Sequence, residues 1–173
     1  MELRGIDELM DLLYACRGAR DAPGGPSGPG GPGGPGGPGD QHEHALRTAA
    51  LLRRARPADK ELQVAGLVHT LGRLLRPGDD TGHADLAADA VRPLLGERVA
   101  RLVRLHALGP DDLVRMHAGG WADTALMEDV LTLRDAHEAG RTPGVDAGVL
   151  EDWRTVLELV SDRARASHHL PGA

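Results

Sequence analysis

Phenylalanine is absent from this chain, and Tyr14, Trp121 and Trp153 are its only aromatic residues. A core without aromatic bulk must be packed by Leu, Val and Ala, which suits helices more than sheets. The single cysteine, Cys16, excludes an internal disulfide and leaves no cysteine-based zinc site. Long hydrophobic runs are missing too: the longest span four or five residues, too short for a membrane span or a signal peptide. The expectation is a soluble cytoplasmic protein with no membrane partner. Lys60 is the only lysine among 20 basic residues, and the net charge of −6 argues against a nucleic-acid partner.

What is present fits one domain of 173 residues, long enough to bury a real core. Ile6, Leu9, Met10 and Leu13 recur at i, i+3, i+4 and i+7, which predicts a short amphipathic helix ending near Gly18. Residues 23–39 form a Pro/Gly tract whose Gly-Gly-Pro units forbid helix and strand alike. The tract reads as a flexible loop insertion that buries no core and can be deleted at little cost. It separates an N-terminal helix within 1–22 from a helical core over 40–165, and 166–173 reads as a disordered tail.

Within the core, helices are predicted over 41–54, 59–75, 81–95, 97–108, 121–139 and 146–165, with Gly109-Pro110 as a breaker. Thr81 is the expected cap of the third of these. The fold class is all-α, a bundle of six to eight helices with no convincing strand. Pro57-Ala58-Asp59 makes a turn between the first two core helices. An antiparallel pair joined in this way brings His44 and His69 to one shared face, and converging imidazoles suit a metal better than a core.

The two segments read His44-Ala45-Leu46-Arg47-Thr48-Ala49 and Leu67-Val68-His69-Thr70-Leu71-Gly72-Arg73. They resemble the HD-domain superfamily, and most closely its oxygenase branch, which includes myo-inositol oxygenase and the phosphonate-degrading HD-domain oxygenases. The later pattern His83…Ala87-Ala88…Leu94…Gly96…Val99…Val103…His106 is similar to the same branch. So is the run from Leu131 to Gly144, in which matching Pro143-Gly144 sets His137 at the family's second metal-binding Asp.

The resemblance implies an HD-domain helical bundle and metal ligands at His44, His69, His83, His106 and His137. Two departures change what it implies. The Asp of the family's His-Asp pair, which bridges two metals there, is Thr70, and the other carboxylate is His137. A shell of neutral ligands does not screen two divalent ions held close together. The expected cofactor is therefore one divalent metal, Fe or Zn, held by His44, His69 and His137.

Arg73 and Arg134 match basic positions of the family and are expected to bind a small-molecule, possibly anionic, ligand. Pro110 stands where the family has a Lys. Three functions remain open: an oxygenase-like enzyme acting on small polar or anionic substrates, phosphonate- or inositol-like; a catalytically degenerate fold that binds a ligand or partner; and a metal-dependent HD phosphohydrolase. Asp85, Asp89, Glu128 and Asp129 read as solvated helix charges, and His42, His117, His168 and His169 as surface residues.

Overall fold

The computed structural model describes residues 2–17, 40–77 and 82–169. The Pro/Gly tract and Thr81 lie outside the described residues. Those described are helical throughout, with no β-strand among them. The elements are α1 (Ile6–Ala15), α2 (Gln41–Ala55), α3 (Lys60–Val68), α4 (Leu71–Leu75), α5 (His83–Leu95), α6 (Glu97–Leu105), α7 (Pro110–Ala118), α8 (Thr124–Ala139) and α9 (Arg154–His169). A 3-10 turn, Leu150–Trp153, leads into α9.

Local chemistry sets most of these starts. Asp40, Asp59 and Asp123 cap α2, α3 and α8 by accepting the backbone N–H of His42, Leu62 and Leu126. The core is aliphatic, as the composition requires: Leu9, Leu46, Leu52, Leu62, Leu67, Val91, Leu102, Val130, Leu133 and Leu157 are buried. Trp153 is the one aromatic buried with them, and the Arg53 guanidinium lies 3.8 Å over its ring. Arg98 ties three helices together, bonding Asp59 at the start of α3, Glu61 and Asp129 of α8.

Several expectations need correction. The helix predicted over 59–75 is broken at His69 and Thr70 into α3 and α4. The His69 ring explains the break: its Nδ1–H donates to the Gly66 carbonyl at 2.7 Å, competing with the backbone ladder. Gly109-Pro110 starts α7 rather than only ending α6, because proline fits the first helical turn, where no N–H partner is needed. The helix before it stops at Leu105, short of Leu108. Trp121 precedes α8 and is 75% exposed. The last helix begins at Arg154 rather than near 146 and runs on to His169, through residues expected to be disordered.

His42 is buried, not superficial: its Nδ1 meets the Leu13 carbonyl at 2.8 Å and its ring stacks near Tyr14. Among the helix carboxylates Asp129 departs from the solvated reading, being mostly buried and paired with Arg98, while Asp85 and Asp89 are exposed and pair with Arg104 at the surface.

One glycine positions the site. A Cβ on Gly72 would lie 1.6 Å from the His83 carbonyl oxygen, so α4 and the start of α5 touch backbone to backbone. That contact brings His83 up against the turn carrying His69.

Candidate metal centre

Three helices deliver three imidazoles to one point. His44 comes from the first turn of α2, His69 from the end of α3, and His137 from the last turn of α8. His44 Nε2 lies 3.0 Å from His137 Nδ1 and 3.3 Å from His69 Nε2, and His137 Nδ1 lies 2.9 Å from His69 Nε2. Ligands bound at about 2.0–2.1 Å to one ion, at tetrahedral or octahedral angles, stand about 2.8–3.4 Å apart. All three separations fall in that range, so the three histidines fit one metal ion.

Proton accounting points the same way. A neutral imidazole carries one N–H and one lone pair. His69 spends its N–H on the Gly66 carbonyl, so its Nε2 lone pair points inward, 3.3 Å from His44 Nε2 and 2.9 Å from His137 Nδ1. A cation among the three nitrogens would be met by that lone pair.

Burial keeps the cluster neutral, which is the form that ligates metals. Desolvation, aided by neighbouring rings, holds the His69 pKa well below its ordinary value. Burial lowers His44 also, lowers His106 to about 4, and lowers His137 to about 3.

His106 stands beside the three, its ring centroid 5.1 Å from that of His69 and 5.7 Å from that of His137. Its Nδ1–H donates to the Val103 carbonyl, which leaves the Nε2 lone pair available. His83 lies further out, 6.3 Å from His106 by ring centroids. Thr70, next to His69, is buried, and its hydroxyl has no hydrogen-bond partner.

A cleft of about 440 Å³ opens beside the cluster, lined by Arg73, His83, His106, Arg134, His137 and Arg141 among others. Arg134 is anchored by a bond from Nη1 to the Leu108 carbonyl, and Arg141 pairs with Glu138 and touches His137 Nε2 at 3.3 Å. The two arginines expected from the sequence, Arg73 and Arg134, thus share one wall with a third, Arg141. Asp135 and Glu138 also line the cleft, so its charge is mixed. Arg141 falls at a basic position of the resembled pattern, two residues before Pro143, but the sequence reading assigns it no ligand role.

No family model matches the chain, and no curated protein sequence matches it significantly. No helix among the described residues is long and apolar enough to cross a membrane.

Proposed function

We propose that the chain is an HD-domain-type metalloprotein of the oxygenase branch, with a mononuclear three-histidine centre acting on a small anionic molecule. The observation that carries the reading is the triangle of His44, His69 and His137 nitrogens at 2.9–3.3 Å, with His69 held lone pair inward by the Gly66 carbonyl. A divalent ion held there would supply Lewis acidity, and iron would add electron exchange with oxygen. The chain's own residues do the rest. Guanidinium groups of Arg73, Arg134 and Arg141 favour a phosphonate, phosphate or carboxylate in the cleft. His106, neutral and with Nε2 available, can accept a hydrogen bond from a bound molecule.

One observation favours a second reading. Thr70 supplies a neutral hydroxyl where a carboxylate would anchor a second ion, which fits a fold that binds its ligand without turnover. Hydrolysis of a phosphoester at a zinc-loaded site is the third possibility.

Anaerobic loading with Fe(II), followed by oxygen and a panel of small phosphonates, polyols and phosphoesters, separates them. The proposal expects substrate-dependent oxygen uptake. Phosphate release without oxygen uptake would replace it with hydrolysis, and tight metal binding without turnover would replace it with the binding role.

A further inference from the structure

We propose that Arg47 is a positioning residue: it clamps the last turn of α8 to α2 and so sets how His137 meets His44. The inference rests on the metal-site reading for its purpose, but its geometry stands apart from it. In the sequence Arg47 is one of three arginines in the α2 stretch and carries no assigned role. In the structure it is only 5% exposed. Its Nη2 is buried with no hydrogen-bond partner. A buried guanidinium with an unsatisfied donor is costly, and an apolar residue of similar length would avoid the cost. Stability alone therefore does not account for Arg47.

Its bond to the end of α8 does. Arg47 Nε donates to the Gly140 carbonyl at 2.8 Å. Gly140 caps the C-terminal end of α8, where unpaired carbonyls and the helix dipole favour a cation. A carbonyl oxygen has two lone pairs, and Arg47 takes one of them.

The spacing makes this a two-rung ladder. His44 and Arg47 are three residues apart on α2, one helical turn. His137 and Gly140 are three apart at the end of α8. The upper rung joins His44 to His137 at 3.0 Å, and the lower joins Arg47 to Gly140 at 2.8 Å. The helices approach this closely because Gly140 has no side chain: a Cβ there would lie 2.7 Å from Thr48 Oγ1. Without the lower rung, the upper one is left as a contact between two neutral rings.

The test is Arg47→Met in the full chain. In metal-free protein, urea unfolding gives stability, and long-range ¹H–¹⁵N NMR gives the His44 tautomer. Titration with Co²⁺ against a chelator, read by visible absorption, gives affinity. The proposal expects an unchanged or higher urea midpoint and a mixture of His44 tautomers in place of one. It expects Co²⁺ affinity to fall roughly 10- to 100-fold. If Arg47→Met does not fold, Arg47→Lys, which keeps the charge and drops the Nε donor, carries the same readouts. A single His44 tautomer with wild-type affinity overturns the proposal, as does an affinity loss that only follows lost stability. If wild-type protein ignores Co²⁺, the metal reading fails, while the tautomer in metal-free protein still decides the role of Arg47.

Discussion

Acid should destabilise the metal-free protein in a window set by its buried histidines. Burial lowers the pKa of His106 from 6.5 to about 4, and it lowers those of His44, His69 and His137 as well. The unfolded chain takes up protons on these rings near pH 6.5, whereas folded His106 does so only near 4. Between those values the unfolded state binds more protons, so stability falls as pH falls. Integrating from neutral pH down to 5, His106 alone accounts for about 2 kcal/mol. His69, fully enclosed, adds to this in the same direction. The assay is urea unfolding of EDTA-treated protein at intervals from pH 7.5 to 4.5. His106→Gln should flatten part of the slope. A midpoint that does not move between pH 7 and 5 would refute the claim that these imidazoles are buried and neutral.

Other perturbations follow from the same geometry. Gly72→Ala forces apart the backbones of α4 and α5 and should cost about 3 kcal/mol or more by chemical denaturation; a loss under half that would mean the contact is loose. Arg98→Ala removes bonds to Asp59, Glu61 and Asp129 and should cost about 1.5–3 kcal/mol, less in high salt. Thr70→Asp buries a carboxylate beside His69, so the metal-free variant should be less stable by about 2 kcal/mol. The same variant should take up a second metal equivalent per chain, measured by elemental analysis, because it restores a bridging carboxylate; a single equivalent would count against the idea that Thr70 limits the site to one ion.

Much of this site was legible in the chain before any coordinates. Helical periodicity with a turn at Pro57 was enough to pair His44 with His69, and the family resemblance, matched at Pro143-Gly144, pointed to His137. Those three are the residues whose ring nitrogens meet. What escaped were features with no periodic signature. Arg47 sits in a helix rich in arginine, and composition does not distinguish a buried arginine from a half-buried one, Arg53, or an exposed one, Arg54. Proline at 110 signals equally the end of one helix and the start of the next, and the second meaning was missed. The break at His69 depends on a side chain taking a backbone carbonyl, a choice made by tertiary packing. His42 is buried for a similar reason: the Leu13 carbonyl of a distant helix accepts it.

The central claim, that His44, His69 and His137 together hold one metal ion, is tested most directly by stoichiometry. Wild-type protein and His137→Ala are loaded with Zn²⁺ or, under anaerobic conditions, Fe²⁺, passed through a desalting column and analysed for metal and protein. The account predicts one equivalent retained by the wild type and essentially none by the variant, at matched folded content. No retained metal in the wild type, or two equivalents, would contradict it.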